Sequence, residues 1–380
     1  MTSLLRDRPA STPAMMAVFD DAATLAGALA FEAALARASA AEGLIPVAAA
    51  GAIADACSGA TFDVAELAEA AAHAGTLAIP LVTRLRDLVG PEAAKFVHTG
   101  STSQDLADTV LMRQAKAGAA LVASEARGLS EALARLARDH AGTPMLGRTL
   151  MQPAQPITFG LRASQWLLGV DAAARRFDRE CAGALVLQLG GAAGTSTGLG
   201  PGVAERMARD LGLDVPAAPW HARRQAVAGL ATSLAILVGA VGKVARDIAL
   251  MAQVEVGEAF EPRVEGRGGS SAMAHKRNPT GCQAALSAAL RAPGLAAAIL
   301  AGLPQEQERG LGGWPAEGPV LAELFGLAHA ALSAMRPVAE GLEVAPDAML
   351  RNLRAANVGD DVGQAEAIVR RALEEYGKDR

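Results

Sequence analysis

Two long stretches without proline set the architecture this chain can adopt. Residues 105–140 and 221–260 span 36 and 40 positions, and neither contains the residue that most reliably ends a helix. In the first, apolar side chains recur at helical spacing: Leu106, Val110, Leu111, Ala115, Ala119 and Val122. Helices of that length far exceed the globular mean of about 11–12 residues. Neither stretch carries strict a/d heptads flanked by charged e and g positions, so a simple coiled coil is not expected. Packing on several sides at once is expected instead. Composition points the same way, because 51% of residues are apolar but only 3% are aromatic. Alanine has the highest helix propensity, whereas strands favour aromatic and β-branched residues. No alternating strand pattern, hairpin turn signal or long repeat stands out. The reading is all-α, divided into an N-terminal helical domain (1–104), a central long-helix bundle (105–340) and a short C-terminal helical segment (341–380).

Within that frame, helices are expected at Asp20–Glu42, about Ile157–Ala182, from Pro279 onward with a kink at Pro293, at about Pro319–Ala339, and in a charged tail from Pro346. Gly142–Pro156, with three prolines, reads as a loop, and Gly190–Gly202 as a glycine-rich connection. Gln225–Gly242 carries no charge and approaches the length of a bilayer span. It is rich in small residues, lacks flanking aromatic belts, and continues into Arg223, Arg224, Lys243, Arg246 and Asp247. It therefore reads as a helix buried in a bundle, with no membrane partner.

A net charge of −5 argues against nucleic acid or an anionic membrane as partner, so an anionic substrate would need a local cationic pocket. Cys57, Cys181 and Cys282 have neither disulfide nor metal spacing, which suggests a reducing cytoplasm. The first residues lack the apolar core of a secretory signal.

The chemistry concentrates in four segments. Gly268-Gly269-Ser270-Ser271-Ala272-Met273-Ala274-His275-Lys276-Arg277-Asn278-Pro279 joins pliable backbone, two hydroxyls and clustered cations. Such a loop can fold over an anion and pass a proton through an oxygen. His98-Thr99-Gly100-Ser101-Thr102-Ser103-Gln104-Asp105 opens the first long helix, where free N–H groups suit a carboxylate and Thr102 or Ser103 suits an N-cap. Gly147-Arg148-Thr149-Leu150-Met151-Gln152-Pro153 offers Arg148 for a two-point carboxylate grip. Gln188–Thr195 is glycine-rich but lacks a G-x-G-x-x-G in a βαβ setting, so no nucleotide cofactor is expected. Pro219-Trp220-His221-Ala222-Arg223 places a His and an Arg at a helix start. His73, His140 and His329 read as structural, and no metal-ligand set is present.

Residues 268–279 resemble the G-S-S-x-M-P-x-K-x-N-P signature of the fumarase/aspartase superfamily. The superfamily's other two signatures follow the same order here, as Thr102–Asp105 and Gly147–Thr149. Phe31–Arg37, Ala78–Val82, Gln188–Thr195, Pro219–His221 and Gly257–Pro262 further resemble its cycloisomerase branch. The similarity covers roughly residues 14–365. Adenylosuccinate lyases carry a catalytic histidine after G-R-T; Leu150 stands there here. Three departures are visible: Ala274 replaces the signature proline, the family's W-H-A-E-W reads Trp314-Pro315-Ala316-Glu317-Gly318, and the C-terminal part is shorter.

The resemblance implies a fumarase/aspartase-type bundle completed by tetramerisation, with each site drawn from three subunits. It implies a small tricarboxylate diene closing to a five-membered lactone without cofactor or metal. Ser270 would carry the proton, with Lys276 and Asn278 stabilising developing charge. His98, Thr102, Ser103, Gln104, Arg148, Thr149, Gln152, Ser271 and Met273 would contact the substrate. The alternative is a fumarate-releasing lyase acting on adenylosuccinate or argininosuccinate.

Overall fold

The structure is a computed structural model that describes residues 4–269, 273 and 276–378. Its principal helices are α1 (Asp21–Ala41), α2 (Ser103–Asp139), α3 (Phe159–Ala184), α4 (Gln225–Met251), α5 (Thr280–Ala301), α6 (Gly313–Glu340), α7 (Pro346–Ala356) and α8 (Ala365–Gly377). The chain is mostly helical; α2 closely matches the proline-free run 105–140, whereas α4 ends at Met251, short of the end of the second run at Phe260. Local chemistry sets their starts. Asp20 caps α1 by accepting from Ala23 N–H at 2.7 Å, and Thr158 caps α3 by accepting from Leu161 N–H at 3.1 Å. Pro293 lies inside α5 as expected. α6 begins before the expected Pro319 and contains both Pro319 and Pro337, so packing overrides the local breaking tendency.

α2 packs on α3, α3 on α4, α4 on α5, α5 on α6, and α6 returns to α2, closing a five-helix bundle. α4, whose first 18 residues carry no charge, shows why. Val227, Leu230, Leu234, Leu237, Val241, Val244 and Ile248 form one fully buried seam at alternating spacings of three and four. Ala228, Ala231, Ser233, Val238, Gly242 and Ala245 are buried on an adjoining face. Each fully buried Leu or Val contributes roughly 1.5–3 kcal/mol. A second hydrophobic cluster joins Phe31, Leu35, Ile53, Leu81 and Leu85 to Leu106 and Val110 of α2 and to Leu187, Leu189, Val203 and Met207.

One segment departs from the sequence reading. Gly142–Pro156, expected as a loop, contains an antiparallel hairpin of β1 (Pro144–Thr149) and β2 (Gln152–Thr158). Its prolines are tolerated because an isolated two-stranded ribbon has two outer edges, where a missing N–H costs no ladder bond. A register shift at Gly147 lets the strands approach closely: a Cβ there would meet the Gln155 carbonyl at 2.5 Å. The tip, Leu150–Met151, turns with positive φ at both residues (51° and 67°). Asn or Gly usually fills such a turn, so its Leu-Met pair is strained. A second small ribbon pairs β3 (Ala259–Phe260) with β4 (Glu343–Val344).

The bundle has two functional ends. α2 has 37 residues, which at about 1.5 Å each put its ends roughly 55 Å apart. The first end gathers residues 98–105, 188–195, 219–224 and the start of α6. The other holds the hairpin, the 252–269 and 276–279 segments and β4.

Candidate active site

At the first end, Asp105 organises the cluster. Its carboxylate accepts from the N–H groups of Thr102 (3.0 Å), Gly190 (2.9 Å) and Gly191 (2.9 Å), and lies 2.7 Å from His221 Nε2. Thr102 thus caps α2 while Asp105 pins the glycine-rich segment beside it. His221, singled out in the sequence without a role, is buried against Asp105. One turn further along α2, Asp108 receives Arg224 in two-point fashion at 2.8 and 2.9 Å. Gln188, Trp314 and Gln104 donate to the same carboxylate. Arg224 also reaches Glu317 and lies over the Trp220 ring at 4.5 Å.

Gln104, expected to bind a substrate carboxylate, does something else. It is fully buried, and its amide donates to Asp108 at 3.2 Å and to the His221 carbonyl at 2.9 Å. The cause is helical spacing, since Gln104 and Asp108 are one turn apart on the inward face. Thr102 and Ser103 remain half-buried at the mouth of this end.

His98 is held differently from a solvated histidine. Its Nδ1 lies 2.5 Å from Oε1 of Glu32, a fully buried carboxylate on α1, and its backbone has φ 65°. Burial pulls the imidazole's pKa down, but the Glu32 hydrogen bond and charge, with Asp105 behind them, outweigh it and raise the net value. The raised value favours the charged imidazole, the form that would suit an anionic ligand at this mouth.

At the opposite end, Arg148 makes the expected two-point carboxylate grip, but on Glu258. Nη1 and Nη2 each lie 2.8 Å from that buried carboxylate, which also accepts from Asn352 at 2.8 Å. Arg148 therefore clamps the hairpin to the segment before β3, its fork engaged by a carboxylate of the chain itself. The partner is 110 positions away, beyond what local sequence reveals. Thr149 and Gln152 are exposed on the hairpin.

The glycine-serine loop leaves the same end. Ser270 and Ser271 lie outside the described residues, as do Ala274 and His275. Its stem is well tied. Asn278 N–H donates to Gly268 O at 2.8 Å, and Asn278 Nδ2 to Gly269 O at 3.2 Å. Gly268 has φ 72°, and a Cβ there would meet Asn278 O at 2.6 Å, so glycine is required. Glu261 accepts from the first N–H groups of α5, Gly281 (3.1 Å) and Cys282 (2.7 Å). Arg277 pairs with Glu343 at 2.9 Å and stacks on Phe260, so it anchors the stem. Lys276 and Met273 are exposed, and Lys276 lines a small pocket with Asn278, Arg263 and Arg267. Among the described residues, no group of three or more His, Cys, Asp or Glu is placed to hold a metal ion.

Two of the clusters thus lie at one end of the bundle and the third at the other. The pocket holding Lys276 and Asn278 shares no residue with the cleft holding Arg148 and Thr149. Ser103 stands a bundle's length from both.

A long-helix bundle bearing these signatures is the architecture of a lyase, and the chain belongs to the lyase family, whose description matches residues 8–294. Its relatives there are more specific. A 3-carboxy-cis,cis-muconate cycloisomerase of Bradyrhizobium diazoefficiens is 47% identical, over 97% of this chain and 82% of the relative. A nitrosuccinate lyase of Streptomyces davaonensis is 41% identical, over 93% and 77%. The crystal structure of 3-carboxy-cis,cis-muconate lactonizing enzyme from Pseudomonas putida superposes with a TM-score of 0.87 at 39% identity, covering 99% of this chain and 88% of that one.

Proposed function

We propose that this chain is a cycloisomerase interconverting 3-carboxy-cis,cis-muconate and its carboxymuconolactone, a step in protocatechuate breakdown. The observation that carries the reading is similarity, over nearly the whole chain, to enzymes of that activity in sequence and fold. Leu150, where adenylosuccinate lyases have a histidine, supports it over that alternative.

In this reaction one substrate carboxylate oxygen forms a bond to an alkene carbon. The π electrons move into a neighbouring carboxylate, giving an aci-carboxylate with added negative charge. The adjacent carbon then takes a proton, which we assign to the Ser270 hydroxyl, and the lactone is complete. The substrate supplies both nucleophile and electron acceptor, so the chemistry calls for no cofactor. The protein's part is to hold a bent conformer, which in favourable cases removes on the order of 7–11 kcal/mol of barrier. It must also face the aci-carboxylate with donors, each typically worth about 10²–10³ in rate. Lys276 and His98 are assigned that electrostatic work, with Ser103, Thr149 and Gln152 contacting carboxylates.

We further propose that the site is shared among copies in a homotetramer. Two observations support this. The cluster at residues 98–105 stands at the opposite end of a bundle roughly 55 Å long from the other two, far more than a small tricarboxylate spans. The outer face of α5 also carries exposed apolar residues, among them Leu290 (84% exposed), Pro293 and Leu300.

The test is ultraviolet absorbance of 3-carboxy-cis,cis-muconate mixed with purified protein. Loss of the diene band at the same rate with and without chelator is expected. No loss, with turnover of nitrosuccinate, adenylosuccinate or argininosuccinate instead, would overturn the reading.

A further inference from the structure

The largest opening near the candidate site is a cleft of about 1080 Å³ between the β1–β2 hairpin and helices α3 and α4. Its charged lining residues are Arg148, Arg162, Lys243 and Asp247. All but one are matched. Arg148 is held by Glu258 at 2.8 Å. Lys243 reaches both oxygens of Asp247, at 2.7 and 2.6 Å, and Asp247 also accepts from Trp166 Nε1 at 2.7 Å. Arg162 remains. It is half-buried on the first turns of α3, and among the described residues no hydrogen bond or ion pair engages its guanidinium. The cleft with its immediate partners therefore carries one unmatched positive charge.

That arrangement is unfavourable unless something answers it. A guanidinium offers five N–H donors in a planar fork, and on the wall of this cleft they face whatever fills it. Burial pulls the pKa of Arg162 down, while Asp247 and Glu258 act on it from a distance in the opposite sense. A carboxylate fits the fork in two-point geometry. Thr149 and Gln165 line the same cleft and offer further hydrogen-bond donors.

We propose that Arg162 is the carboxylate-gripping cation of this cleft and reads the third carboxylate of the substrate, the one that distinguishes 3-carboxy-cis,cis-muconate from plain cis,cis-muconate. The inference rests on the cycloisomerase reading. It moves to Arg162 the two-point role that Arg148, engaged by Glu258, does not fill. The side chain contributes binding and discrimination and takes no part in proton transfer.

The experiment uses the full-length protein in its native assembly and compares Arg162→Gln and Arg162→Lys with the parent. Arg162→Gln is expected to raise KM for 3-carboxy-cis,cis-muconate on the order of 10- to 100-fold, with a much smaller change in kcat. Its preference for the tricarboxylate over cis,cis-muconate, measured as a ratio of kcat/KM values, should collapse. Arg162→Lys should retain part of that preference, because the charge persists without the fork. A residue acting only on the fold would depress turnover of both substrates alike. Calorimetric binding of tricarballylate, an inert tricarboxylate probe, should weaken in parallel. An unchanged preference and unchanged tricarballylate affinity in Arg162→Gln would overturn the proposal. If the parent fails to consume the diene yet binds tricarballylate through Arg162, the function fails while the carboxylate site stands.

Discussion

Replacing Arg224 by methionine should be among the most damaging single changes to stability. Arg224 heads the fully buried side chains by size, and it neutralises two buried carboxylates, Asp108 and Glu317. Methionine fills similar space, so the cost arises from charge. Asp108 keeps its hydrogen bonds from Gln104, Gln188 and Trp314. Glu317, whose hydrogen bonds come from Arg224, loses them. Removing one partner from a buried ion pair typically costs about 3–5 kcal/mol. Unfolding entropy near 2.1 cal/mol/K per residue over 380 residues comes to about 0.8 kcal/mol/K, so the cost corresponds to a fall of roughly 4–6 °C in melting temperature. The sign of the pH dependence follows from Glu317. Burial raises its pKa even in the parent, against the opposing pull of Arg224. Removing the arginine raises it further. A carboxyl raised above its unfolded value stabilises fully below that value and loses the contribution as pH rises through the folded one. The deficit of Arg224→Met should therefore shrink as pH falls toward 4–5. The assay is thermal unfolding of Arg224→Met and of the triple change Arg224→Met, Asp108→Asn, Glu317→Gln, across that pH range. The triple change should recover most of the loss, because no bare charge is left inside. A single-variant shift below about 1 °C, or a triple variant as unstable as the single, would refute the argument.

Two further outcomes follow from the same physics. His98 has a raised folded pKa through Glu32, so its stabilising contribution is complete below the unfolded value near 6.5 and is lost as pH rises through the higher folded value. Glu32→Gln should flatten that decline in melting temperature above neutrality and lower the His98 imidazole titration seen by NMR; an unshifted titration would contradict the pairing. The thiols of Cys57 and Cys181 are pushed up to about 12, chiefly by burial, and that of Cys282 is raised by burial and by Glu261. All three should resist iodoacetamide at pH 8 in the native protein and react after denaturation, read by mass spectrometry. Rapid native labelling of any of them would contradict the packing.

Much of the bundle was legible because helix length and the absence of proline are local properties. α2 could be placed to within a few residues, α4 stops at Met251, nine residues short of the end of its proline-free run, and the uncharged stretch 225–242 announced burial. The hairpin was not legible: proline marks loops in sequence, and only pairing shows that these prolines sit on free edges. The site was legible as motifs but not as geometry. Arg148 was rightly identified as a two-point carboxylate binder, yet Glu258 lies 110 positions away, and nothing local signals which carboxylate it meets. Gln104 was closer to recoverable, since Asp108 one turn on is a natural inward partner. Arg162 carried no signal at all, because its interest comes from what its neighbours have already bound.

The claim on which the account turns is that catalysis draws on clusters from different copies of the chain. It is tested by mixing two inactive variants, Thr102→Ala/Ser103→Ala and Ser270→Ala, under conditions that exchange subunits, and following loss of the diene band. If sites are shared, random assortment restores about a quarter of parental activity, since some sites then receive both clusters intact. Activity that stays at the level of the separate variants, with exchange verified, would mean that a single chain holds its whole site and would contradict the account.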